Sequence, residues 1–156
     1  MVTTGPFSGL PERRTLVIDA ATSFYFHREG DGVLMGMGAS DERSSFDVTP
    51  DERFIEERIL PTAVRVFPPL VEAGVRATWA GLYEMTPDCH PIIGPSPVEG
   101  FYLANGFSGH GFQHAPVVGK LLAEMIVGGH ATSVDVSSLG FERFARGDLV
   151  REGHVV

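Results

Sequence analysis

Two groups of residues in this 156-residue chain have the types and spacing to do chemistry. The first is the run FYLANGFSGHGFQHAPVVGKLLAEMI at 101–126, a strand pattern, a glycine loop and a helix pattern in succession. A glycine loop that feeds a helix start leaves backbone N–H groups without intrahelical partners and faces the positive end of the helix dipole. Such a place binds an anion or a partly negative oxygen. The spacing of Gly106, Gly109 and Gly111 is neither a Walker loop, since no GK[ST] follows, nor the GxGxxG of a dinucleotide fingerprint. On spacing alone an anion site and a tight turn before a buried helix start are equally good readings. The second group is histidine and cysteine: His110 and His114 four apart, Cys89 next to His90. A metal pair would need both histidines on one helical face, and Pro116 puts the expected helix start after His110, so no metal site is assigned.

The elements that must position these groups are legible to different degrees. Residues 15–20 and 23–28 are rich in β-branched and aromatic side chains, Glu29-Gly30-Asp31-Gly32 is a turn, and 33–38 continue as a third strand, so an antiparallel meander is expected. Residues 39–48 read as a polar loop. Thr49, Pro50 and Glu52 form a capping-box signature ahead of Phe54, Ile55, Ile59 and Val66, which keep helical spacing. Pro61 is expected to kink this helix or split it. Residues 75–85 read as one long strand whose Gly81 marks a bulge or a close approach. Residues 86–100 read as a loop with a short apolar piece at Ile92-Ile93, and 101–104 as a buried strand. A second helix over 115–127, with Pro116 in its first turn, would bury Val117, Val118, Leu121, Leu122, Met125 and Ile126 and stop at Gly128-Gly129. Phe141, Phe144 and Leu149 would pin the tail. The fold class expected is α+β: an antiparallel sheet with a packed helix over 12–86, and a strand, glycine loop, helix and tail over 87–156.

Composition narrows the partners. The net charge is −8, from 20 acidic against 12 basic residues, with no Lys/Arg cluster long enough to follow a phosphate backbone, so nucleic acid is excluded as a partner. The single Cys89 permits no internal disulfide and suits a reducing cytoplasm. No apolar stretch reaches the ~20 residues of a membrane span, and Met1 to Leu10 lack the pattern of a signal peptide.

The runs WAGLYEMTPDCHPIIGP and GFYLANGFSGHGFQHAPVVGKLLAEMI resemble the C-terminal signature of the D-amino-acid oxidase superfamily, which includes glycine oxidase, sarcosine oxidase and dimethylglycine dehydrogenase. Within it the chain is most like the FAD-dependent oxidoreductase domain-containing group, down to an aspartate-serine turn at Asp135-Val136-Ser137-Ser138 and an Arg143-Phe144 pair. The resemblance covers residues 14–150. It implies an FAD-dependent oxidation of a C–N bond in an amine or amino acid by hydride transfer. Phe107, Ser108, Gly109, His110, Gly111 and Phe112 would lie against the pyrimidine end of the flavin and stabilise negative charge there. Tyr83 would face substrate, although it reads equally well as an ordinary strand tyrosine, and Tyr25 on the second strand resembles another substrate-side tyrosine. Gly81 stands where some relatives carry a cysteine bonded to FAD, so the flavin would be noncovalent. Gln113 stands where sarcosine oxidases carry a lysine that pairs with the substrate carboxylate, and their histidine after the third strand has no counterpart near Gly38; both put a sarcosine-like specificity aside. No GxGxxG occurs in the chain. The resemblance therefore implies a C-terminal half without the Rossmann half, binding FAD weakly or not at all alone. The alternative is a noncatalytic fragment or subunit completed by a separate Rossmann-containing chain. Six apolar side chains on the second helix, costly if left wet, would be covered by the chain's own tail through Phe141 and Phe144, by the remaining strands, or by a second copy across a two-fold axis in a homo-oligomer.

Overall fold

The computed structural model describes residues 1–39 and 44–150, so the part of the polar loop at 40–43 lies outside the described residues. Two compact units follow each other along the chain, one of residues 1–82 and one from Tyr83 onward.

The first unit is an antiparallel sheet in the order β2-β3-β4-β1-β5, formed by β1 (Val2–Thr4), β2 (Val17–Asp19), β3 (Phe24–Glu29), β4 (Gly32–Gly36) and β5 (Val75–Thr78). The expected meander is present: β3 and β4 form a hairpin closed at Glu29 opposite Gly32, with Gly30 at φ +58° in the turn. Alternation along β3 sends Phe24 and Phe26 inward, where they meet Val2, Val33 and Met35. Ile55, Ile59, Ala63 and Leu70 from the helical segment complete this core.

Three expectations are corrected here. Strand β1 was not anticipated, because three residues are too few to carry a period. It is nonetheless central: Val2 pairs with Met35 on one side and Thr78 on the other, and Thr4 Oγ1 accepts the Val33 N–H at 3.0 Å. The strand expected over 75–85 ends at Thr78. Among the described residues its only ladder partner is β1, which is three residues long, and the last bond on that edge runs from Trp79 N to Met1 O. Gly81 therefore sits in neither a bulge nor a strand, with nothing among the described residues within 4 Å of where a Cβ would stand. The helix is capped by Asp51, not Thr49: Asp51 Oδ1 accepts from Phe54 N at 3.0 Å, while Thr49 N donates to Asp47. Pro61 divides the helix by type. α1 (Glu52–Phe54) gives way to a π-helical turn (Ile55–Ile59), and α2 (Leu60–Val66) starts with Pro61 in its first turn, where a missing N–H costs least.

The second unit is built on the hairpin of β6 (Ile92–Pro95) and β7 (Tyr102–Asn105), with Ile92 opposite Asn105, and on the long helix α3 (Gly111–Gly128). The apolar pair Ile92-Ile93, expected in a loop, is thus a strand. Ile93, Val118, Leu121 and Val136 form the core, with Leu122, Met125 and Leu139 packed against it. α3 begins four residues earlier than expected, and Pro116 lies inside it. The carbonyl that Pro116 cannot bond is that of Phe112, a residue 94% exposed and open to water. Gly129, at φ +82°, ends the helix as its composition indicated. Of the six apolar side chains that suggested self-association, Val118, Leu121, Leu122 and Met125 are covered within this unit, and Val117 and Ile126 stay exposed. The tail carries a 3₁₀ turn (Ser137–Leu139) and α4 (Arg143–Arg146). Phe141 and Leu149 remain exposed; the tail is anchored by the buried Arg143, beneath which Phe144 stacks at 4.1 Å.

Candidate flavin-ring loop

β7 delivers the chain into a loop whose backbone is left-handed three times: Gly106 at φ +75°, Ser108 at φ +50° and Gly109 at φ +90°. A left-handed serine is uncommon, and this one is buried at 2% exposure, so its neighbours must hold it. They do: Ser108 N donates to Glu84 O at 3.3 Å, and Gly106 N donates to the Glu84 carboxylate at 3.3 Å. His110 N donates to Phe107 O at 2.9 Å and closes the loop onto the first turn of α3. His110 Nδ1 lies 3.1 Å from Ser108 O. A carbonyl only accepts, so Nδ1 carries the proton in this contact.

The segment 83–86, expected to end a strand, instead runs beneath this loop. A Cβ on Gly109 would stand 2.9 Å from Tyr83 Cζ and 3.1 Å from its Cε1, so the tyrosine ring lies against the Gly109 backbone. A Cβ on Gly106 would stand 2.4 Å from Thr86 Cγ2. Both glycines are required twice over, by φ and by contact. No side chain caps α3, so the amides of Gly111, Phe112 and Gln113 and the positive end of the helix dipole are available to a ligand. Gly111 packs on Phe107, while Phe112, Gln113 and His114 are exposed. The rings of His110 and His114 stack with centroids 6.3 Å apart. Among the described residues no group of three or more His, Cys, Asp or Glu side chains could hold a metal, and no helix is long and apolar enough to cross a membrane.

The structure thus assembles Tyr83 and residues 107–113 in the second unit. Tyr25 and Gly81 belong to the first. Tyr25 lies across from Gly36 on β4, with its hydroxyl 2.7 Å from Met1 Sδ. Gly81 offers no side chain to bond a flavin.

Sequence reasoning missed one polar cluster. Arg143 and Asp88, each 1% exposed, form a two-pronged ion pair: Nε to Oδ2 at 2.7 Å and Nη2 to Oδ1 at 2.9 Å. Arg143 also donates to Leu139 O, Gly140 O and His90 O. The carboxylate further accepts from Thr86 Oγ1, His90 N and Val150 N. The Arg143 guanidinium holds the Asp88 carboxyl far below its ordinary range. The Arg143-Phe144 pair was visible in the sequence, but only as a family likeness; its partner lies 55 residues away.

Comparison with known proteins places this geometry. The sequence profile of the family described as DAO, FAD dependent oxidoreductase, matches residues 1–125. FAD-dependent oxidoreductase domain-containing protein 1 of Mus musculus is 33% identical over 152 residues, which cover 94% of this chain and 31% of that protein. Sarcosine oxidase subunit beta of Arthrobacter sp is 29% identical over 142 residues, 91% of this chain and 35% of that protein. The chain therefore spans about a third of the length of these curated relatives. Among solved structures, L-proline dehydrogenase from P. horikoshii superposes with a TM-score of 0.84 at 33% identity, covering 96% of this chain and 40% of that one. Glycine oxidase from Geobacillus kaustophilus has the same fold, with a TM-score of 0.76 at 24% identity over 91% of this chain and 37% of its own. With a profile match over most of its length, the chain belongs to the DAO family of FAD dependent oxidoreductases.

Proposed function

We propose that this chain supplies the ring end of a noncovalent flavin site in an enzyme that oxidises the C–N bond of an amine or amino acid by hydride transfer. The observation that carries the reading is the left-handed loop seated on Tyr83, Glu84 and Thr86, which opens directly onto the uncapped start of α3. The fit to FAD rests on that cradle: two glycines that tolerate no Cβ, and free amides at a helix start. When bound, FAD supplies the hydride acceptor. Phe107 to Gln113 would hold its pyrimidine edge; their amides and the helix dipole would favour negative charge there and so ease reduction. Tyr83, half exposed and seated against Gly109, would shape the loop and face substrate. The relatives and neighbours named for sarcosine, glycine and L-proline support an amino-acid-like substrate.

The chain spans about a third of its relatives, and the phosphate and adenosine contacts that dominate dinucleotide recognition are not among its residues. Alone it is therefore expected to bind FAD more weakly than micromolar, and submicromolar affinity by titration calorimetry would contradict this. A separate Rossmann-containing chain is one partner reading, and relatives named as subunits support a multi-subunit setting. A second copy meeting through Phe112, Val117, Ile126 and Val127 on α3 is the other. The single Cys89 suits a reducing cytoplasm. The test of function is anaerobic: the protein, with any chain that copurifies, is loaded with FAD and offered glycine, sarcosine, L-proline and D-amino acids. Bleaching of the flavin bands by one of them, abolished by Gly109→Val, is the expected result. Flavin left oxidised by the whole panel would overturn C–N oxidation.

A further inference from the structure

The segment 83–86 shapes the glycine loop, yet no strand ladder holds it. β5 ends at Thr78, and 79–91 contain no regular element. Its backbone bonds in this region are Ser108 N to Glu84 O and Cys89 N to Thr86 O. What fixes it is at its far end. Thr86 Oγ1 lies 2.7 Å from His90 O and 3.1 Å from Asp88 Oδ1. Asp88 and His90 O are both gripped by Arg143, which is itself held by Leu139 O and Gly140 O. The Thr86 hydroxyl therefore points into the ion pair, and its methyl is turned against Gly106, where no Cβ fits. Two residues earlier, Glu84 takes the Gly106 and Ser108 amides. A buried ion pair is a poor way to gain stability, because desolvation offsets much of its attraction. It is a good way to fix direction: the guanidinium fork accepts one orientation of the carboxylate, and among the described residues no buried side-chain nitrogen or oxygen lacks a hydrogen-bond partner.

We propose that Asp88 and Arg143 are positioning residues for the glycine loop: acting through Thr86 and Glu84, they set where the loop amides at 106–111 aim. The tail that carries Arg143 is thereby part of the candidate site although it does not enter it. The consequence for a flavin rests on the function proposed above, but the positioning itself does not need one.

The test uses the full chain without cofactor and reads the amides of Gly106, Ser108, Gly109 and His110 by ¹⁵N–¹H spectra and hydrogen exchange. Thr86→Val keeps the methyl and removes the hydroxyl; Thr86→Ser does the reverse. Arg143→Lys keeps the charge and loses the fork, and Arg143→Met loses both. Thr86→Val is expected to remain folded and to speed exchange at Gly106 and Ser108 by about tenfold, while amides of β6 and the last two turns of α3 keep wild-type rates. Arg143→Lys should give the same pattern more strongly, with Arg143→Met stronger still. Loop amides unchanged in a folded Thr86→Val would overturn the proposal. So would uniform loss of protection across the second unit in Arg143→Lys, which is the mark of a merely structural pair. With FAD loaded on the complete protein, loop amides that move without any change in flavin midpoint potential would sink the flavin reading and leave the positioning intact.

Discussion

Gly109 carries two separate demands, and they can be weighed apart. Its φ of +90° is one that side chains rarely adopt, and the Tyr83 ring fills the space a Cβ would need. Gly109→Ala is expected to cost about 2–4 kcal/mol, combining backbone strain of ~1–3 kcal/mol with overpacking. Tyr83→Ala in the same chain should recover the steric part and leave the strain, so a double-mutant cycle by urea denaturation should show coupling of about 1 kcal/mol or more. Additive losses would mean that the ring does not press on the loop. Glu124 makes a second case at this scale. Its carboxylate accepts from the Ser133 hydroxyl and from the amides of Thr132 and Ser133, and these bonds hold its pKa down to about 2. A depressed folded pKa gives stability that is complete above the unfolded value, near 4.5, and lost as pH falls through about 2. The stability difference between wild type and Glu124→Gln should be constant from pH 7 to 5 and shrink below 4.5. A difference that grows on acidification would refute this.

The elements show where a local signal is strong enough to prevail. Both Thr49 and Asp51 are good capping residues, and the tertiary structure chose Asp51. Asp51→Ala is expected to cost about 1 kcal/mol and Thr49→Ala only a few tenths, measured by chemical denaturation. Equal losses would place the cap wrongly. α3 buries Leu121 almost completely against Ile93, Val118 and Val136. Leu121→Asp would put an unpaired carboxylate into that core and should unfold the second unit rather than release monomers from a dimer. A folded, soluble Leu121→Asp would show that this face is not the core. Self-association, if it occurs, falls instead to Phe112, Val117, Ile126 and Val127.

For the whole molecule the decisive feature is that each unit has its own core, one around Val2, Phe24, Phe26 and Ile59, the other around Ile93, Val118 and Leu121. Ile59→Ala is expected to cost ~2–5 kcal/mol. Hydrogen exchange should show the loss first in amides of β3, β4 and α2. A uniform loss across both units would mean that the chain opens as one cooperative body.

The sequence by itself determined the antiparallel hairpin, through alternation and a Gly-rich turn, and the glycine loop feeding α3, through residues with few other uses. These are short-range devices, and each is written within a dozen residues. The family was legible for the same reason, since its signature lies in two continuous runs. Only the tertiary structure decided that Val2–Thr4 becomes a central strand, because its partners at 32–36 and 75–78 lie far along the chain. Only the fold cut the strand expected over 75–85 at Thr78, since a strand extends no further than the neighbour that pairs with it. Likewise Tyr83 meets Gly109, and Asp88 meets Arg143 across 55 residues. No periodicity marks contacts at such separations. They arise when packed elements bring groups together, and a buried charge then has to find its opposite.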